Sequence, residues 1–367
     1  MEYSILPFIF LHSTLFILHC SFVPIVAINF GCLQAFRNLA NQPLSTHQTL
    51  TFAPRQQSRN QAMGSKQQIR FIINPRSGVS RKRNLPELIH QHIDHSKYEV
   101  EISLTQHAGH AIELAKEAAD AGHAMVVACG GDGSVNEISS QLIGTQTVLG
   151  VVPSGSGNGF AGHLGIGRDL VRAIRSLNNG AVIEVDTCRM NGRPFVNLAG
   201  IGFDGVVSKR LHDSPVRGFW AYLRYTLEEA WAYRMQDLVI EMDGKKLDRR
   251  CLLVEVANAP VYGYGFSIVP HANFKDGLLE VLIVNAAPKW RYLLESWRFL
   301  NRSFHKSRMS ECHTCREVTI RPKGNTCYHL DGEGYELAGE AHFTISPNSL
   351  RVMVPKAYAE VLGGVGV

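Results

Sequence analysis

Asp132 lies in the run Gly130-Gly131-Asp132-Gly133-Ser134, between the apolar stretch Ala124–Cys129 and a segment of helical spacing that ends near Leu142. Two other turns share this make-up. Asn74-Pro75-Arg76-Ser77-Gly78 follows the apolar run Ile69–Ile73, and Gly155-Ser156-Gly157-Asn158-Gly159 follows Thr147–Val152. A glycine turn at the carboxyl end of a strand lets backbone N–H groups approach phosphate, and the next helix adds favourable partial charge. One such turn is commonplace in α/β proteins, whereas three at one sheet edge point to a bound anion. A carboxylate among those amides would repel phosphate unless a divalent cation lay between them. Mg2+, held by few carboxylates plus phosphate oxygens and water, meets that need. The plainer reading of Asp132 is a helix N-cap. The chain contains no lysine-bearing GxxxxGK[ST] loop and no GxGxxG after its first strand, and GSGNG is only a partial echo of the latter.

A second acidic pair, Asp331 and Glu333, flanks Gly332 in "HLDGEGYEL", where aspartate before glycine is a common turn. Cys312 and Cys315 form a CxxC, with His313, Cys327 and His329 nearby. A zinc site needs two well-formed knuckles, and here the second half is a C-x-H in an expected strand, so ordinary strand cysteines are the favoured reading. Eight scattered cysteines suit a reducing compartment. A net charge of +5 is too mild for nucleic acid but compatible with an anionic surface, and "RKR" at 81–83 reads as a solvated helix start.

These groups need a frame, and the pattern from Ile69 supplies one. Short apolar strands alternate with amphipathic segments such as "HAIELAKEAADAG" and "DLVRAIRSLNNG", which implies a parallel sheet covered on both faces. After Val182 the texture becomes β-rich, as in "DLVIEMDG", "CLLVEVANA" and "EVTIRP", so a mainly β domain follows. Two helical stretches interrupt it. In "FWAYLRYTLEEAWAYR", Phe219, Tyr222, Leu223 and Thr226 recur at helical spacing and read as core, with a lipid groove or contact with a bilayer as the alternative. "KWRYLLESWRFLNRSF" mixes tryptophan with basic residues and reads as a packed helix or one resting on an anionic membrane. Residues 1–62 are apolar and then polar. They are expected to be an upstream extension, with a membrane anchor as the alternative, and Met63 opens what reads as a cytosolic domain.

Taken together, "NPRSG", "GGDGSVNE", "PSGSGNGFA", "IEVDTCRMNGRPFVNLAGIGFDG", "GYGFSIVPHANFKDGLLEV" and "HLDGEGYEL", in this order from Ile69 to Pro355, resemble the diacylglycerol kinase catalytic domain family. That family includes bacterial lipid kinases, sphingosine kinases and ceramide kinase. The resemblance implies a Rossmann-like nucleotide-binding domain followed by a β-sandwich, with the active-site cleft between them. It places Asn74, Pro75, Arg76, Ser77, Gly78, Thr105, Gly130, Gly131, Asp132, Gly133, Ser134, Val135, Asn136, Gly155 and Ser156 at ATP. Asp186 joins a metal–water network reaching Asp132, while Asn273, Asp276 and the Leu278 carbonyl hold a structural Mg2+. Asp331 is the implied base, with Glu333 beside it and Asp132 as its competitor.

The implied organisation is an extension over 1–62, an α/β nucleotide-binding domain over 66–184, a β-rich lipid-substrate domain over 185–345 and a strand over 346–358 returning to the first domain. The implied activity is Mg-dependent transfer of the γ-phosphoryl of ATP to a lipid hydroxyl in phospholipid metabolism. The acceptor would be diacylglycerol or sphingoid in type, presented by a membrane to a cytoplasmic, peripherally associated protein, with a homodimer as the candidate assembly. A soluble-substrate kinase of the NAD kinase type, or an inactive lipid-binding regulator, are the alternatives. Two departures stand out: Gly159 replaces an aspartate usual in bacterial members, and Ser134 replaces threonine but keeps the hydroxyl.

Overall fold

The computed structural model describes residues 66–77, 84–155, 157–216, 218–260 and 269–364. The expectations for residues 1–62, Gly78 and Ser156 fall outside them. The described residues all belong to one compact unit.

Four parallel strands come first: β1 (Gln67–Ile73), β2 (Tyr98–Leu104), β3 (Met125–Gly130) and β4 (Val148–Pro153), in the spatial order β2-β1-β3-β4. Every residue of β3 and β4 is buried, as expected for apolar runs covered on both faces. The covering helices are α1 (Leu85–His92), α2 (His110–Asp120), α3 (Asp132–Leu142), α4 (Gly159–His163) and α5 (Leu170–Asn179). Sequence sets their limits. Pro86 sits in the first turn of α1, where its missing N–H costs nothing. The Asp169 carboxylate accepts the Arg172 N–H at 2.8 Å to cap α5, which turns Ala173, Ile174 and Leu177 into the core.

From α5 the chain enters β5 (Ala181–Met190), which runs antiparallel to β15 (Ala341–Val354) along nearly its whole length. Both strands extend beyond the parallel sheet. Near its end β15 lies parallel to β4, with Val352 opposite Leu149, and near its start it pairs with β12 (Glu317–Pro322), with Phe343 opposite Val318. The expected bounds at 184/185 and 345/346 therefore lie inside continuous strands.

The antiparallel part adds β6 (Arg193–Phe195), β7 (Leu198–Gly202), β8 (Gln236–Met242), β9 (Lys245–Ala257), β10 (Leu279–Asn285), β11 (Ser310–Cys315), β13 (Thr326–Leu330) and β14 (Glu333–Leu337). Its pairing order is β14-β13-β7-β9-β8-β12-β15, with β10 between β9 and β11. Alternation builds its core: Leu238, Ile240 and Met242 of β8 point inward while their neighbours do not. They meet Val254, Val281, Ile320 and Phe343 in a second apolar core, where Phe195 packs edge-on to Phe343 at 6.2 Å between centroids. The fold is thus an α/β layer followed by a β-sandwich, as the sequence implied, with all strands among the described residues joined in one mixed hydrogen-bonded network. The remaining helices are α6 (Phe203–Asp213), α7 (Phe219–Ala232), α8 (Lys289–Glu295), α9 (Trp297–Leu300) and α10 (Lys356–Gly364). No helix among the described residues is long and apolar enough to cross a membrane.

Candidate active site

The three turns meet at the carboxyl edge of the parallel strands. The Asn74 N–H donates to Cys129 O at 3.1 Å, and its side-chain oxygen accepts the Arg76 N–H at 3.0 Å, closing a tight turn over Pro75. Its side-chain amide reaches Ser134 Oγ at 3.3 Å, and Ser77 Oγ donates to Asn74 O at 3.2 Å. Gly130 O accepts the N–H groups of Ser154 and Gly155 at 2.9 and 3.0 Å. A side chain on Gly155 would come within 2.9 Å of Gly131 N and nearer still to its Cα, so only glycine permits this approach. Thr105, just after β2, donates its N–H to Ile73 O at 2.9 Å. Val135 is buried beneath the second turn.

Asp132 opens α3 but caps a different helix. Its carboxylate accepts the N–H of Gly159 at 3.0 Å and of Phe160 at 3.2 Å, the first turn of α4. Burial pushes its carboxyl up, against the pull of those N–H groups and the charge of Arg168.

The opposite wall comes from the turn between β13 and β14. Asp331, in left-handed conformation at φ 48°, has two donors on each oxygen. Asn197 N and Leu198 N lie 2.9 and 3.0 Å from one oxygen, and Val196 N and Asn136 Nδ2 lie 3.0 and 2.6 Å from the other. Burial nonetheless pushes its carboxyl up, with these four donors pulling the other way. Its lone pairs are occupied, so Asp331 acts as a clasp between α3 and the start of β7. Asn136 turns its amide to this clasp and to Pro194 O.

Glu333 is placed differently. Its Oε2 accepts the Tyr335 hydroxyl at 2.9 Å, while Oε1 lies so close over Gly133 that a Cβ there would be 2.7 Å from it. This brings a carboxylate to the N-terminus of α3, between the glycine turns. Glu137 on the same helix is pushed up by burial and then by the Glu333 charge. Beside them Arg193 lies over the Tyr335 ring at 4.0 Å and donates to the Tyr328 hydroxyl at 2.7 Å. Sequence reasoning missed Arg193, Tyr328 and Tyr335, since nothing in "GRPF" or the strand pattern marks them.

Asp186 belongs to a second acidic group. It is fully buried and accepts the N–H of Asn348 and of Gly277, each at 2.8 Å. The loop it holds contains Asn273, whose side-chain oxygen accepts Lys275 N, and Asp276, whose carboxylate accepts Leu278 N at 3.0 Å. Asp276 is pushed up by burial and, beyond the pull of the Leu278 N–H, by the Asp186 charge. Asp186, Asn273, Asp276 and Leu278 are thus brought together, while Asp132 is engaged at α4. Asn258 links the second group to the clasp, donating to Asp186 O at 2.9 Å and to Val196 O at 2.8 Å.

A buried trio, Asp204, Glu255 and His329, fills the space over Gly200. His329 Nε2 lies 2.5 Å from Asp204 Oδ2 and 3.6 Å from Glu255 Oε2. Burial opposes charge on Asp204, but His329 beside it wins and holds the carboxyl down to about 2. Burial likewise opposes the His329 charge, yet Asp204 and Glu255 lift it to about 10. The trio sits under the Asp331 turn, where Gly332 N approaches His329 Nδ1 at 3.4 Å. His329 is thus paired with Asp204 and Glu255. Cys312 and Cys315 lie in the extended strand β11, one exposed and one buried, and not in a metal knuckle.

Residues 68–190 match the diacylglycerol kinase catalytic domain, and residues 197–354 match the YegS C-terminal NAD kinase beta sandwich-like domain. A Bacillus subtilis protein named "Diacylglycerol kinase" is 31% identical over 80% of this chain and 98% of its own length. A Pseudomonas syringae pv. tomato protein named "Probable lipid kinase YegS-like" is 31% identical over 72% of this chain and 87% of its own. The crystal structure of a diacylglycerol kinase from Bacillus anthracis superposes with a TM-score of 0.63, covering 80% of this chain and 98% of that one, at 19% identity, a likeness of fold. The chain therefore belongs to the diacylglycerol kinase catalytic domain family, its α/β layer matching the catalytic domain and its β-sandwich the domain that follows.

Proposed function

We propose that this protein transfers the terminal phosphoryl group of ATP to the hydroxyl of a lipid, with diacylglycerol the first acceptor to test because the B. subtilis relative carries that name. The observation that carries the reading is the approach of the Glu333 carboxylate to Gly133, at the amide-rich end of α3 between the glycine turns. Phosphates seated on the N–H groups of Gly131 and Gly133 would lie within reach of that carboxylate.

The oxygen donors suit Mg2+ rather than a softer ion. Asp132 is a half-buried carboxylate pushed up despite two N–H bonds, and the Asp186–Asp276 pair is two acids held together. Asp132 would hold the ion on the nucleotide side, and Asp186, Asp276, Asn273 and the Leu278 carbonyl would hold one in the second group. Bound there, Mg2+ neutralises phosphate charge. The protein's own groups do the rest. The turns fix the triphosphate, and the Asp331 clasp holds α3 against the β-sandwich. Glu333 takes the proton of the acceptor hydroxyl as the new P–O bond forms and the bond to ADP breaks. Catalysis of this kind is mostly positioning and charge neutralisation.

The test is incubation of the purified chain with γ-labelled ATP and vesicles carrying diacylglycerol, a sphingoid base or ceramide, with NAD in parallel as a soluble acceptor. Label entering one lipid, and lost in Glu333→Gln while ATP binding persists, supports the reading. Label entering NAD alone, or no acceptor at all despite ATP binding, defeats it.

A further inference from the structure

The chain has four tryptophans, and all four lie on the outside of α7, α8 and α9: Trp220 is 78% exposed, Trp231 84%, Trp290 57% and Trp297 49%. Their spacing is not scattered. On α7, Trp220, Leu227 and Trp231 fall on one face, with Arg224 between them. On α8 and just beyond it, Trp290, Leu293, Leu294 and Trp297 repeat at three and four residues, the period of a core-facing stripe. Here the stripe faces outward: none of α8 is buried, and Leu293 and Leu294 are 69% and 65% exposed. The two helices adjoin, since Lys289 Nζ donates to Trp231 O and sits 5.9 Å from its ring. Large apolar side chains gathered this way and left exposed call for a partner.

Charge identifies the partner. The acids of these helices are already neutralised: Glu228 and Glu229 pair with Arg210 and Arg224, and Glu295 pairs with Arg298. Lys289 and Arg291 then stand beside the indoles as surplus positive charge, Arg291 within 5.4 Å of the Trp290 ring centroid. Exposed indoles beside basic side chains are the composition that settles at the headgroup level of an anionic bilayer. We infer that the α7–α8 face is a docking surface for an anionic phospholipid membrane. The inference rests on exposure and charge and needs no assumption about the phosphoryl acceptor.

Because every tryptophan lies in the patch, the protein's own fluorescence reads its occupation without a buried background. The full chain is mixed, without ATP, with vesicles of phosphatidylcholine alone or with added phosphatidylglycerol, with and without brominated acyl chains. The expected result is a blue shift and bromine quenching that depend on phosphatidylglycerol and fade with salt. Trp290→Ala/Leu293→Ala/Leu294→Ala should weaken vesicle partitioning more than tenfold. Lys289→Glu/Arg291→Glu should weaken it about fivefold or more for each charge lost, with ATP affinity unchanged in both variants. The inference is overturned by unshifted emission, or by undiminished vesicle binding in both variants, which would assign binding to another segment. It is also overturned by a concentration-dependent dimer in sedimentation that the triple variant dissociates, which would make the face a contact between two copies.

Discussion

Replacing Asp331 by asparagine separates two roles that its carboxylate could have. The side chain keeps its shape but offers one acceptor oxygen to a site that presents four donors. With that oxygen on the N–H groups of Asn197 and Leu198, the new amide faces Val196 N–H and Asn136. Asn136 can turn its own oxygen toward the amide. Val196 cannot adapt, and its N–H is left without an acceptor on a residue only 2% exposed. An orphaned buried donor costs about 1–3 kcal/mol, and the two surviving bonds lose their charge assistance. Against this, a neutral amide sheds the desolvation that pushes the carboxyl up, so the net cost settles near about 2 kcal/mol. In a chain of this size that lowers Tm by about 2–4 °C. Thermal unfolding and single-turnover phosphoryl transfer well below Tm should therefore both change, the rate by roughly ten- to a hundredfold through misplacement of Asn136 and Glu333. If Tm stays within a degree while the rate falls by orders of magnitude more, Asp331 is the proton acceptor itself and the clasp argument fails.

Glu333→Gln should leave Tm within about 2 °C and ATP binding intact while lowering the transfer rate by about 10²–10⁴-fold; isothermal titration against turnover separates the two, and retained turnover removes Glu333 from the chemistry. Gly155→Ala drives a Cβ into the backbone of Gly131, so ATP affinity should drop at least tenfold with a loss of about 1–3 kcal/mol in stability, and normal ATP titration would show that the turns tolerate separation. His163 on α4 packs edge-on to Phe274 at 4.6 Å, and burial holds its pKa down to about 4, below the value near 6.5 of an unfolded chain. The unfolded state then binds the extra proton between pH 6.5 and 4, so stability falls as pH falls through that window, by at most about 3 kcal/mol. His163→Phe should flatten this part of the urea-midpoint profile, and an unchanged slope in the variant would locate the titration elsewhere.

What the sequence made legible was local. The runs Ile69–Ile73, Ala124–Cys129 and Thr147–Val152 announced buried parallel strands, and the glycines after them announced turns that approach one another. Pairings over long distances left no such mark. That β5 and β15 continue from one layer into the other depends on register across nearly half the chain, which no window of residues encodes. The same holds for Asp132, whose type suggested a cap for its own helix and whose partners turned out to be the N–H groups of Gly159 and Phe160. Asp204, Glu255 and His329 come from three separate strands and helices, and each alone looks like an isolated polar residue in an apolar stretch. Helical spacing located α7 correctly, but spacing cannot say which stripe faces inward. Ala221 is the buried member, Tyr222, Leu223 and Thr226 are half-buried, and the larger indoles point away.

The continuity of β5 and β15 has a mechanical consequence. Many two-layer enzymes close by bending at a pair of flexible crossings, but here both crossings are hydrogen-bonded to each other, and their ladder is interrupted only at the irregularity between Ser346 and Leu350. Any rocking of one half against the other must flex that spot or break ladder bonds. It is also where Asn348 donates its N–H to Asp186. The geometry of the second acidic group and the stiffness of the whole frame therefore meet at a single short stretch of backbone.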